Sequence, residues 1–171
     1  FDTASMRIMA NGVEVIIGLS HSTHENFNPI MVLDCEKGQV EWTRGNAIIR
    51  YSDGTEENFD ERNLPDHNGP FHNAIDVLRN NAAPQCPPEV ARAQTLCING
   101  AHESCPEIST ISTGHIKEVD RKGDLFHIVN EMDDLLDRSF AEKKLLSELG
   151  VAWGRTSKPF DMKNYDHYPK R

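Results

Sequence analysis

A chain of 171 residues is long enough for one domain with a core of its own. Its 37% hydrophobic content and mean hydropathy of −0.57 suit a soluble fold, and no run approaches the ~20 apolar residues of a membrane-spanning helix. The formal net charge of −9, with no basic cluster that also carries aromatics, argues against nucleic acid as a partner, because phosphate neutralisation needs a positive face.

Two β-rich runs open the chain, Asp2–Ala10 and Val13–His21, joined by Asn11-Gly12. Asn-Gly between such runs is a strong hairpin signal, because both turn residues must take positive φ. Ala4, Met6 and Ile8 fall on one side of the first run, and Val13, Val15, Ile17 and Leu19 on one side of the second. That side is expected in the core, and the side carrying Ser5, Arg7, Glu14 and Gly18 is expected to be partly wet. Residues 26–29 read as a loop shaped by Asn26 and Pro29. Gly38–Trp42 and Asn46–Tyr51 read as short strands, with Asp53-Gly54 turning the chain into a returning Thr55–Phe59.

Pro70–Arg79 is a helix with Phe71, Ala74, Ile75 and Leu78 on one face, ended by Asn80-Asn81. Pro88–Cys105 is a second, longer helix, with Pro87 and Pro88 at its start and Pro106 as its stop. Its face of Val90, Ala93, Leu96, Cys97, Gly100, Ala101 and Ser104 is made of small residues, suited to lying close against a sheet. His115–Val119 and Leu125–Val129 form a further strand pair. Asn130 can cap a last helix from Glu131, with Asp133 and Asp134 complementing its dipole, running through Leu149 to Gly150. The tail from Val151 holds Trp153, Phe160, Tyr165 and Tyr168, more aromatics than disordered tails carry, so it is expected to pack on a surface.

Chemistry-bearing residues are sparse. Cys35, Cys86, Cys97 and Cys105 form no Cys-x-x-Cys pair and read as reduced. His21-Ser-Thr-His24-Glu25 comes nearest to a metal motif, but its i, i+3 spacing at a strand end is not the i, i+4 helical pair of a zinc peptidase, so no metal is expected. His21, His24 and Asn26 are the candidates for hydrogen-bonding a ligand's hydroxyls. His72 and His102 read as helix-surface residues, and His67, His115, His127 and His167 have no partner at a useful spacing. Neighbouring carboxylates such as Glu56/Glu57 and Asp133/Asp134 diverge and cannot flank one bond.

The helix worded Glu-Val-Ala-Arg-Ala-Gln-Thr…Asn-Gly-Ala-His-Glu-Ser, residues 89–104, resembles the last core helix of the glucose–fructose oxidoreductase and inositol dehydrogenase family (Gfo/Idh/MocA). The order around it is similar too, over residues 1–120: strand, Asn-Gly, strand, Ser-His, a loop with Asn-x-Pro, then Gly-x-Val, a strand and Asp-Gly-x-Glu. The resemblance implies the family's C-terminal domain: an α+β fold with a large, mainly antiparallel open sheet and helices on one face, spanning residues 1–150, with 151–171 as a packed tail. It implies a parent enzyme that moves hydride between NAD or NADP and a sugar, inositol or related polyol, and a homo-oligomer formed through the open sheet face. The family's Gly-x-Gly-x-x-Gly and Glu-Lys-Pro are missing; Glu142-Lys143-Lys144 lacks the proline. The Rossmann domain and the catalytic residues are therefore expected upstream of Phe1, the 171 residues are expected to bind no cofactor and to be inactive alone, and His21, His24 and Asn26 would face the polyol. A cytoplasmic location is expected, with the periplasm left open because a leader would precede Phe1. The other reading is a non-catalytic carbohydrate-binding or assembly module of the same fold; a hydrolase or metalloenzyme lacks a convergent set of titratable residues.

Overall fold

The computed structural model describes residues 2–60 and 68–169; His67 lies outside them. In chain order the strands are β1 (Thr3–Ala10), β2 (Val13–Ser20), β3 (Ile30–Cys35), β4 (Gly38–Thr43), β5 (Asn46–Tyr51) and β6 (Glu56–Asp60). Helices α1 (Gly69–Asn80) and α2 (Pro88–Ser104) follow, then β7 (Ile116–Arg121), β8 (Asp124–Val129) and α3 (Met132–Glu142). The fold is α+β with open antiparallel sheets, the expected class. The strands are shared among three sheets, β1-β2, β3-β4-β5-β6 and β7-β8, instead of joining in a single large one. Each pairing links strands consecutive in sequence, so each sheet is set by its own tight turns.

Two compact units are formed. Residues up to Glu25 belong with those from Pro88 onward, and Asn26–Pro87 form the other unit.

In the first unit, Asn11 (φ 51°) and Gly12 (φ 82°) turn β1 into β2, with Ala4 opposite Leu19, Met6 opposite Ile17 and Ile8 opposite Val15. The opposite face meets α3 and the 3-10 turn Leu146–Leu149. A side chain at Gly18 would stand 3.3 Å from Leu136 Cδ2, and the Leu146 N–H donates to Ser5 Oγ at 3.0 Å. Arg7 donates to Glu148 through both terminal nitrogens, at 2.6 and 2.9 Å, and its Nε lies 3.5 Å from Glu14. The face read as partly wet is therefore the one that α3 meets, and Arg7, Glu14 and Gly18 on it remain exposed. On the side expected in the core Ala4, Met6, Ile8 and Ile17 are half-buried, whereas Val13 is 60% exposed and Val15 and Leu19 are exposed as well.

The last helix is also shorter than the periodicity suggests. Its N-cap is Glu131, left-handed at φ 63° and without a side-chain cap, while the Asn130 N–H goes to the His115 carbonyl at 2.8 Å. Lys143, again left-handed, ends it at Glu142, and Leu146 and Leu149 belong to the separate 3-10 turn, closed by Gly150. Ile128, Val129, Met132, Leu135, Leu146 and Tyr165 are the buried hydrophobics of the described residues.

The small-residue face of α2 is met by the tail where a sheet was expected. Met162 Sδ sits 3.0 Å from where a Cβ on Gly100 would stand. Ser104 Oγ donates to the Lys158 carbonyl at 2.5 Å and lies 2.9 Å from Ser157 Oγ. Tyr165 is buried, donates to Glu103 at 3.0 Å and packs edge-on against Phe160. Burial, then the Glu103 hydrogen bond, push its phenol up to about 12.

The second unit is a four-strand meander followed by α1. Met31, Trp42, Ala47 and Phe59 stand in register across one face, with Leu33, Val40 and Ile49 behind them. Arg50 binds Glu41 (2.7 Å) and Glu56 (3.2 Å) on the other face. Strand β3 has no counterpart in the sequence reading. Gly38 is required where β4 begins. Its φ is +151°, and a Cβ there would collide with the backbone of Arg50 and Tyr51. Helix α1 ends at Asn81, left-handed at φ 56°.

Candidate functional site

Strand β2 ends at Ser20, and the chain then turns through His21–Glu25 without regular structure. This segment is nonetheless tied down along its backbone. The His21 N–H donates to the Asp2 carbonyl at 2.9 Å, and the Val129 N–H, at the end of β8, donates to the Ser22 carbonyl at 2.9 Å. Ser22 N–H is taken by Ser20 Oγ at 3.0 Å, and Thr23 Oγ1 donates to the Glu25 carbonyl at 2.8 Å.

The strongest restraint comes from α3. Asp133 Oδ2 accepts the His24 N–H at 2.8 Å and Asp133 Oδ1 accepts the Glu25 N–H at 2.9 Å. One carboxylate therefore satisfies two successive amides more than a hundred residues away. Burial opposes the charge on Asp133, but the Glu25 and His24 amides outweigh it and hold the carboxyl below its ordinary range. From the β7–β8 hairpin, Arg121 donates to the His24 carbonyl, with its guanidinium 5.3 Å from the Phe126 ring centre. The amide and the carbonyl of His24 are thus held from two different elements.

The side chains point outward from this fixed backbone. His21 and His24 are both exposed, and His24 Nδ1 lies 3.0 Å from Glu25 Oε1. The pair is largely in water, 63% and 70% exposed, so its electrostatic contribution is small. Its place is set by the backbone: Asp133 holds the amides of both residues. Of the three residues read from the sequence, His21 and His24 share this loop, while Asn26, also exposed, begins the second unit. Asp133 and Arg121 were missed. In the sequence Asp133 reads as a helix-dipole residue, and nothing local there connects it to residues 24 and 25.

No group of three or more His, Cys, Asp or Glu among the described residues is arranged to hold a metal ion. The four cysteines are unpaired thiols, with Cys35 and Cys86 exposed. His102 lies against the Tyr168 ring, centroids 6.1 Å apart. A shallow groove of about 400 Å³ runs between the end of α2 and the tail, past Cys105, Lys158 and Phe160. Arg155 on its wall is already engaged by Glu107 at 2.5 Å. A dinucleotide pyrophosphate needs a glycine-rich turn from a strand into a helix. The transition from β8 to α3 runs through Asn130 and Glu131 instead, and does not fit that group.

Among the described residues no helix is long and apolar enough to cross a membrane. No family model, no curated protein and no solved structure matches the chain.

Proposed function

We propose that this chain is the substrate-binding and assembly part of an NAD(P)-dependent oxidoreductase of the glucose–fructose oxidoreductase and inositol dehydrogenase type, acting on a sugar, inositol or related polyol. The nicotinamide and the groups that touch the reacting carbon would come from a Rossmann domain outside these residues. The observation that carries the reading is the His21–Glu25 loop. It presents two exposed imidazoles from a backbone already fixed by Asp133 and Arg121. Imidazole nitrogens both donate and accept, which suits them to ligand hydroxyls, and a preset loop loses little entropy on binding.

In this reading the chain's own part is to hold and orient the polyol. Titration of the labelled chain with myo-inositol and glucose, followed by amide and imidazole NMR shifts, tests it. Saturable shifts confined to residues 20–25 are expected; no shift at tens of millimolar ligand would remove the substrate role.

A second reading, an assembly module without catalysis in the parent, is favoured by the open apolar face of β1–β2, where Val13, Val15 and Leu19 are exposed. The native polypeptide from its source separates the two. A larger species that binds NAD(P) supports the enzyme, and one that never binds it leaves the module.

A further inference from the structure

Resting on the polyol reading above, we infer that Asp133 and Arg121 are positioning residues, which act on the ligand through the backbone of His24 and Glu25. A segment of five residues without secondary structure would ordinarily sample many conformations, each side chain paying for its own ordering when a ligand arrives. Here the ordering is done before binding. Asp133 reaches from the first turn of α3 and takes two consecutive N–H groups, at 2.8 and 2.9 Å. Two successive amides converging on one carboxylate fix the local φ and ψ between them, so the directions in which the His24 and Glu25 side chains leave the chain are set together. Arg121 takes the carbonyl of the same His24 and blocks rotation of the next peptide plane. The result is that the imidazole–carboxylate pair of His24 and Glu25, itself too exposed to hold a geometry, inherits one from α3 and β7.

Asp133 is suited to this task in a way its neighbour is not. Asp134 carries the same charge one residue on, is exposed, and complements the same helix end without reaching the loop. The two carboxylates therefore separate a helix-dipole role from a positioning role. Arg121 is half-buried and stacked over Phe126, which restricts the guanidinium.

The test is a graded series on the full 171-residue chain: Asp133→Asn, Asp133→Ala, Arg121→Gln and the control Asp134→Asn. Myo-inositol affinity is read by NMR, and amide hydrogen exchange at His24 and Glu25 is read without ligand. Asn keeps one acceptor oxygen and Ala keeps none, so affinity should fall in the order Asp, Asn, Ala, by roughly tenfold at the end of the series. Exchange at the two amides should accelerate in the same order while β1–β2 amides stay protected, and Asp134→Asn should change neither. A merely structural role would make affinity follow the melting temperature across all four variants, and that result overturns the inference. So does wild-type affinity in Asp133→Ala. If the wild type shifts with no polyol while its His24 and Glu25 amides are protected through Asp133, the polyol reading has failed and the clamp stands as a structural feature alone. Unprotected amides in the wild type overturn the clamp itself.

Discussion

The two larger sheets both leave apolar residues exposed on one face, Val13, Val15 and Leu19 in β1–β2 and Met31, Leu33 and Phe59 in β3–β6, and they differ in what meets the other face. In β3–β6 the apolar residues Met31, Trp42, Ala47 and Phe59 share one face, and the other is a charged surface crossed by Arg50 with Glu41 and Glu56. In β1–β2 the face of Ser5, Arg7, Glu14 and Gly18, which also carries Ile16 and Met9, meets α3 and the Leu146–Leu149 turn, while Arg7, Glu14 and Gly18 stay exposed. The contacts made with this face of β1–β2 are directional. Gly18 leaves room for Leu136, Ser5 accepts the Leu146 N–H, and Arg7 grips both oxygens of Glu148, whose Oε2 also accepts the Leu145 N–H at 2.8 Å. Hydrophobic alternation says which residues share a face; it does not say which face finds a partner.

The largest effects should come from the core that supports the face α3 meets. Met132 is fully buried, and Met132→Ala should cost about 3 kcal/mol from lost transfer energy plus the cavity left behind. Chemical denaturation checks it. If unfolding is unchanged, α3 does not anchor the hairpin and the contrast between the two sheets fails. In the meander, Gly38→Ala should cost about 2–3 kcal/mol, because the new Cβ meets backbone that cannot move aside and sits at positive φ. Its unfolding should be read by Trp42 fluorescence, and the loss should be confined to that unit.

A middle-sized effect tests the loop. Asp133 is held below its ordinary pKa in the folded chain. A depressed carboxyl contributes stability that is fully present above its unfolded value, about 4, and is lost as pH falls through its folded value. The native chain should therefore lose stability with acidification below the usual carboxylate range, and Asp133→Asn should flatten that part of the profile. At neutral pH the substitution should cost about 1 kcal/mol, the scale of one hydrogen bond left poorly made. A profile of the same steepness in the variant would assign the acid sensitivity to other carboxylates, Glu148 first. The Arg7 hydrogen bond, then the Leu145 amide, hold Glu148 low as well.

Local structure was legible where turn chemistry is local. Asn11-Gly12, Asp53-Gly54, Pro88, Pro106 and Asn81 marked turns and helix ends that the chain adopts. Long-range partners were not legible. The Gly100 face reads as sheet-packing because small residues allow close approach, and Met162 uses that approach instead. Asn130 reads as a cap, yet its amide is claimed by His115 and the helix begins from a left-handed Glu131. At the candidate site the exposed imidazoles could be found from residue type. Asp133 could not, because its two acceptor bonds span 108 and 109 residues and leave no periodic signal.

The smallest effect sharpens the comparison most. On β1–β2 the four apolar cross-strand pairs, from Ala4–Leu19 to Ala10–Val13, make a continuous face, and Val13 on it is 60% exposed. Val13→Lys removes little packing and adds a charge in water, so the stability of the isolated chain should change by less than about 0.5 kcal/mol. The same substitution on a face that must meet another surface would bury a charge without a partner. Arg7→Ala on the face that α3 meets provides the contrast: it should lower the melting temperature while leaving the solution mass unchanged. If this apolar face carries assembly, Val13→Lys should do the reverse, lowering the mass seen by light scattering at fixed concentration and sparing the melting temperature. Equal masses for Val13→Lys and the native chain would remove β1–β2 as an assembly surface and leave its apolar face to some other neighbour.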